Sequence, residues 1–225
     1  MKPNSFTLAA RLKIIRKKIE ESCQAINKPP EDIKLVAVSK GQDFKQIKEA
    51  YELGIRDFGE SYAQEFKSKR DQATLENLSD IRWHFLGALQ SNKIKIISQA
   101  TYIHSVDSMR HAQNISLIAQ EEKYIFLQVK LDQTLGRLGF LSHEIHEALK
   151  ACSSLPHIKI IGLMTIVPLS PPPHGNSWFL FMQKLREELC PDLKLSMGMS
   201  QDFEQAILYG ADYIRIGSEL FGPRS

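Results

Sequence analysis

The stretch Ile33–Phe58, IKLVAVSKGQDFKQIKEAYELGIRDF, changes its hydrophobic period twice. Ile33 to Ser39 is a short valine-rich run, too short for a helix and suited to a buried strand. Asp43 to Leu53 reads as a helix: Asp43 and Gln46 resemble a capping box, Phe44, Ile47 and Tyr51 make one face, and Gly54 is a stop. Ile55 to Phe58 returns to a strand. Strand, helix and strand in succession is the unit of parallel α/β folds.

The alternation continues downstream. Ser61 to Arg70 reads as a helix, and strand-like runs follow at Trp83 to Leu86, Tyr102 to Val106, Ile125 to Leu131, Ile158 to Leu163, Lys194 to Met197 and Tyr213 to Ile216. Helices are expected at Ser108 to Glu121, His143 to Ala151, Trp178 to Leu189 and Gln201 to Tyr209. About eight strands result, the number that closes a parallel (β/α)8 TIM-type barrel. An open doubly wound sheet is the alternative, disfavoured by the strand number and by the lack of a GxGxxG turn after the first strand.

Upstream, Leu8, Leu12, Ile15, Ile19 and Ile26 fall on one helix face, opposite Arg11, Lys13, Arg16, Lys17 and Lys18. The basic side is expected to be a solvated face. Because the chain stops soon after the last strand, this extra N-terminal helix is expected to cover the place of the missing last helix. Pro168 to Gly175, with Pro171, Pro172 and Pro173 together, is the clearest loop and is read as a stiff connection. No repeat or composition break divides the chain, so residues 1–225 are expected to form a single domain.

Composition excludes other classes. With 43% hydrophobic and 24% charged residues among 225, the chain is neither disordered nor a disulfide-stapled miniprotein. A net charge of +3 is spread without a basic stripe, which argues against nucleic acid as a partner. Cys23, Cys152 and Cys190 are widely separated and form no CxxC pair, which suits a reducing compartment. No signal-peptide core and no apolar run of about 18 residues occurs, so a cytoplasmic protein without a membrane partner is expected.

In a parallel barrel, ligand groups collect after the strands. The first strand ends at Lys40, where a partly dry mouth would lower the amine pKa and favour attack on an aldehyde; a solvated strand-end lysine is the plain alternative. At the last strand, Arg215 and Gly217 share a side, Gly217 permits close backbone approach, and Ser218 adds a hydroxyl. Ser200, after the preceding strand, is placed to cap the next helix, to touch a phosphate, or both. An amine facing a phosphate cradle suggests a phosphorylated aldehyde. Pyridoxal 5′-phosphate and a sugar phosphate handled through a Schiff base both meet that demand.

The following motifs, taken together, carry a resemblance: LVAVSK (Leu35–Lys40), FGESYAQE (Phe58–Glu65), WHFLGALQSNK (Trp83–Lys93), HSVD (His104–Asp107), GLMTI (Gly162–Ile166), LSMGMSQDF (Leu195–Phe203) and RIGSELFG (Arg215–Gly222). In this order they resemble the pyridoxal phosphate homeostasis protein family, which has the barrel of the alanine racemase N-terminal domain. The resemblance implies pyridoxal 5′-phosphate (PLP) as cofactor. It also implies a Schiff base on Lys40, phosphate contacts at Ser200, Gly217 and Ser218, and Arg215 facing the pyridine nitrogen. A cation there disfavours ring protonation and weakens the electron sink. Departures from the family pattern are Ser218 for threonine, Ser61 for asparagine and Gly41 for threonine. Gly136-Arg137-Leu138-Gly139-Phe140 is closer to the alanine racemase version of its loop, and Arg137 there is as apt to reach the cofactor as to lie in solvent.

His84 is expected to be a hydrogen-bonded barrel histidine without a catalytic role. His143, His146 and Glu147 are read as the wet face of a helix, and no metal is expected. The resemblance implies intracellular vitamin B6 homeostasis by a monomer that holds PLP without turnover, with PLP-dependent apo-enzymes as recipients. A PLP-dependent amino-acid racemase is the alternative; it needs an acid and a base on opposite faces of the substrate carbon. In alanine racemase the opposing tyrosine comes from a C-terminal β domain, before which this chain is expected to end. A sugar-phosphate aldolase or isomerase would need a dedicated acid at another strand end, and none stands out.

Overall fold

A computed structural model describes residues 7–132, 138–168 and 177–223. Helix α1 (Leu8–Gln24) comes first, followed by β1 (Lys34–Val38), α2 (Phe44–Glu52), β2 (Asp57–Glu60), α3 (Ala63–Leu75) and β3 (Arg82–Phe85). Next come α4 (Ile94–Ile97), β4 (Tyr102–Val106), α5 (Met109–Ile118), β5 (Lys123–Gln128), α6 (Ile145–Ser153) and β6 (Ile158–Met164). The last elements are α7 (Trp178–Leu189), β7 (Lys194–Met199), α8 (Phe203–Leu208), β8 (Tyr213–Ile216) and α9 (Ser218–Phe221). The strands close in sequence order into the expected barrel of parallel pairs, with β8 returning to β1. At that seam Val36 lies opposite Arg215 and Ala37 opposite Ile216, so the first and last strand exits adjoin.

The strands are apolar runs because both their faces are covered. Val36, Ile103, Ile125, Leu163, Leu195 and Ile214 are fully buried. Inside the barrel, His104 stacks on Phe126 at 4.2 Å between ring centres, and Tyr213 meets Phe126 at 5.0 Å. Outside, Ile47, Phe66, Ile94 and Ile115 pack the helices onto the strands.

Helix α1 takes the place of a full-length last helix. It packs against α8, α9 and α2, with Leu8, Leu12, Ile15 and Ile19 buried. Each such aliphatic side chain contributes about 1.5–3 kcal/mol by leaving water. The basic side is not simply solvated. Lys13, Arg16 and Lys17 are exposed, but Arg11 Nε donates to Leu220 O at 2.6 Å, and Lys18 pairs with Glu204 and Glu219 at 2.9 Å each. Long stems let these cations reach the C-terminal segment while staying on the outer side of the helix. Ile26 lies past the helix end, and Cys23 completes the buried face.

Other local expectations shift for identifiable reasons. Asp43 is the N-cap of α2 but its side chain makes no cap bond; the turn closes by Gln46 N donating to Asp43 O at 3.0 Å. The second strand begins at Asp57, not Ile55, because Ile55 N still donates to Ala50 O at 3.1 Å as α2 unwinds through Gly54 at φ 89°. Arg137 and residues 169–175 of the proline loop lie outside the described residues. Among the described residues no helix is long and apolar enough to cross a membrane.

Candidate functional site

The exits of β1, β7 and β8 open on one cavity of about 370 Å³ at the C-terminal mouth of the barrel, and Lys40, Ser200, Arg215, Gly217 and Ser218 all line it. Ser61 lines it too.

Lys40 is half-buried in the turn after β1, and the turn is held on both sides. Before it, Ser39 Oγ donates to Glu60 Oε1 at 2.6 Å, and Lys69 Nζ donates to Ser39 O at 2.6 Å. After it, Gly41 N donates to Glu65 Oε1 at 2.6 Å. Lys69 ties the two carboxylates together, at 2.8 Å to Glu60 and 2.6 Å to Glu65. Gly41 has φ 70°, a region that strains a β-branched side chain, so glycine is apt here. Burial pushes the Glu60 carboxyl up, against the lowering pull of Lys69. Its Oε2 has no hydrogen-bond partner among the described residues.

Arg215 is buried on β8. Its Nη1 donates to Ser196 Oγ and its Nη2 to Thr165 O, both at 2.8 Å. Burial brings its pKa down to about 10, so the guanidinium remains a cation at neutral pH.

The two serines face each other across the cavity wall. Ser218 Oγ and Glu219 N each donate to Ser200 Oγ at 3.4 Å. Contacts this long are weak, which leaves the hydroxyls ready to turn to a ligand. Ser200 does not cap α8 as expected; Asp202 is the N-cap residue, and its Oδ1 accepts from Met199 N at 2.6 Å. At Gly217 the close approach comes from β1: an added Cβ would stand 3.3 Å from Val38 O. A side chain at position 217 would therefore crowd the barrel seam, whatever occupies the cavity.

His84 is fully buried and hydrogen-bonded, to Asp57 at 3.0 Å and to His104 at 2.9 Å. His143, His146 and Glu147 are exposed, and no group of three or more metal-ligating side chains occurs among the described residues. Sequence reasoning missed Glu60, Glu65 and Lys69 behind Lys40, and His104 and Ser196 behind Arg215. The first two lie in FGESYAQE, with Lys69 one helical turn beyond Glu65, so spacing alone would have paired them. The route from His104 to Ser196 spans 92 positions and has no local signal.

A closed parallel barrel with its polar groups gathered at adjoining strand exits defines the class. Residues 11–225 match the family model of the alanine racemase N-terminal domain. The chain is 40% identical over 206 residues to the pyridoxal phosphate homeostasis protein of Synechocystis, covering 87% of this chain and 93% of that one. It is 35% identical to the protein of that name from Pseudomonas aeruginosa, over 97% of this chain and 96% of the other. PipY of Synechococcus elongatus, solved without PLP and with PLP bound, is similar at TM-scores of 0.81 and 0.79 with 36% identity, covering 96% of this chain and 100% of that chain. Alanine racemase from Corynebacterium glutamicum shares the fold at a TM-score of 0.70 and 15% identity, over 96% of this chain and 60% of the enzyme. The chain belongs to the pyridoxal phosphate homeostasis protein family.

Proposed function

We propose that this chain binds pyridoxal 5′-phosphate at the mouth of the barrel and serves intracellular PLP homeostasis by holding the cofactor rather than turning over a substrate. The observation that carries the reading is the gathering of an amine, two facing hydroxyls and a buried guanidinium around one cavity of about 370 Å³. That donor set fits a flat pyridine aldehyde bearing a phosphate, and the volume suits a small cofactor. When bound, PLP supplies an aldehyde that condenses with an amine as a Schiff base.

In this reading Lys40 supplies the amine, and the clamp of Ser39, Glu60, Glu65 and Lys69 orients its turn. Ser200, Gly217 and Ser218 receive the phosphate, with hydroxyl donors turned from each other to the anion. Arg215 presents a cation to the ring nitrogen, keeping that nitrogen unprotonated. Leu86, Ile166 and Val167 supply apolar wall to the cavity. The relatives' shared name and PipY's PLP-bound structure support this reading. We take the chain as one domain, a monomer and a cytoplasmic protein, with PLP-dependent apo-enzymes as recipients.

Borohydride reduction of the PLP-loaded protein, followed by peptide mass mapping, tests the anchor. The cofactor mass is expected on Lys40 and absent from Lys40→Ala, which still retains PLP non-covalently through its phosphate. A reduced adduct on another lysine in the wild type would overturn the assignment.

A further inference from the structure

Behind Arg215 a line of hydrogen bonds crosses the barrel interior to its opposite end. Arg215 Nη1 meets Ser196 Oγ at 2.8 Å, Ser196 Oγ meets His104 Nδ1 at 2.8 Å, His104 Nε2 meets His84 Nδ1 at 2.9 Å, and His84 Nε2 meets Asp57 Oδ1 at 3.0 Å. Asp57 is held in turn by Arg82, whose Nε and Nη2 donate to its two oxygens at 2.8 and 2.6 Å. Ser196, His84 and His104 are 0% exposed, so bulk solvent does not compete for these bonds.

With both rings neutral, the chemistry of the two ends sets the direction of every bond between them. Asp57 is a carboxylate and only accepts, so His84 carries its proton on Nε2. Burial pushes the pKa of both histidines down, that of His104 further with His84 and Arg215 near it, which favours the neutral form of each ring. His84 Nδ1 is then bare and accepts from His104 Nε2–H. His104 Nδ1 is bare in turn and accepts from the Ser196 hydroxyl, whose oxygen accepts from Arg215. The titratable and charged groups around these rings are Asp57, Arg82, Tyr102, Tyr213 and Arg215.

We propose that Asp57, His84, His104 and Ser196 are positioning residues, a one-way hydrogen-bond relay that holds the Arg215 guanidinium toward the cofactor cavity. The relay itself is a property of the protein alone. Its effect on the cofactor rests on the reading of the cavity as a PLP site. The relay joins β2, β3 and β4 to β7 and β8 across the barrel, so that guanidinium orientation depends on residues that touch no ligand. Thr165 O alone would fix one nitrogen and leave the plane free to turn about it.

Two measurements separate failure of the relay from failure of the PLP reading. Long-range nitrogen–proton spectra of the cofactor-free, histidine-labelled protein are expected to show His84 and His104 both neutral with the proton on Nε2, at neutral pH. A charged ring, or a proton on either Nδ1, overturns the relay whether or not PLP binds. Ser196→Ala, checked for a cooperative melt, removes the link at its middle. It is expected to weaken PLP and pyridoxal alike by about tenfold, since the lost contact concerns the ring and not the phosphate. It also raises by about one unit the pH at which the cofactor's absorption band changes, because a loosened cation suppresses ring protonation less. Ser196→Thr is expected to restore both. Unchanged affinity and an unchanged band profile in Ser196→Ala overturn the positioning role, and if that variant does not fold the tautomers in the wild type decide.

Discussion

Ser218 is the residue whose chemistry is most open to direct test. Its hydroxyl lies 3.4 Å from that of Ser200 in the cavity wall, and a phosphate is a stronger acceptor than a serine. Ser218→Ala is therefore expected to cost PLP about 1.5–3 kcal/mol while leaving pyridoxal almost unaffected; titrations of both ligands measure the contrast. Ser218→Thr keeps the hydroxyl and is expected to be mild. Equal losses for the two ligands would mean that Ser218 does not read the phosphate. Asp57 is the residue with the clearest acid signature. Burial alone would raise its carboxyl, but the hydrogen bonds from Arg82 and His84 outweigh that and bring it from 3.8 down to about 2. A carboxyl depressed in the folded state adds stability above its unfolded pKa and loses it as pH falls toward the folded one. Asp57→Asn is thus expected to cost about 2 kcal/mol at neutral pH. Urea unfolding should show that gap closing as pH falls from about 4 to about 2; a gap independent of pH would refute the linkage.

Among the elements, the junction of β1, β2 and α3 decides how well the Lys40 turn is held. Lys69 lies on α3, Glu60 ends β2, and both reach Ser39 at the exit of β1. Its side chain is 6% exposed and that of Glu60 is 0%, so removing the lysine strands a buried carboxylate. Lys69→Met is expected to destabilise the protein by about 3–5 kcal/mol at neutral pH. The sign of its pH dependence follows from Glu60, whose pKa already lies above 4.5. Without Lys69 it rises further, so the deficit is smaller near pH 4, where the carboxyl is more fully protonated, and grows as pH rises. Denaturant melts at the two pH values test this, and a deficit larger in acid would contradict it. The element boundaries show what sequence alone conveys here. Trp178–Leu189 and Tyr213–Ile216 coincide with α7 and β8 because their apolar spacing is unbroken up to the residues that end them. The short α4 was not foreseen, since a four-residue helix offers too little periodicity to read.

Over the whole molecule, retention and turnover are told apart by the proton-transfer groups that face Lys40. No tyrosine, histidine or cysteine is among the described residues that line it, and Asp202, which does, is committed to Met199 N at 2.6 Å. Racemisation needs a second proton-transfer group across from Lys40. Incubation with PLP and L-alanine, followed by chiral chromatography, is expected to show no sustained production of the D enantiomer, and steady multiple turnover would favour the racemase reading instead. The order of strands and helices, the barrel and the cluster of Lys40, Ser200, Arg215, Gly217 and Ser218 were legible in the chain, because period, turn residues and strand-exit position are local properties. The duties of those residues rest on resemblance and on the tests above. The tertiary structure alone decided what stands behind the cluster. Ser196 reaches His104 across the barrel, and Arg215 reaches Thr165 past the intervening strand β7, at separations of 92 and 50 positions. Gly217 is crowded by Val38 only because the last strand returns to the first. An apolar run specifies that a strand is buried, but not which buried polar group it meets across a barrel. That pairing is set by closure and register, which no single segment contains.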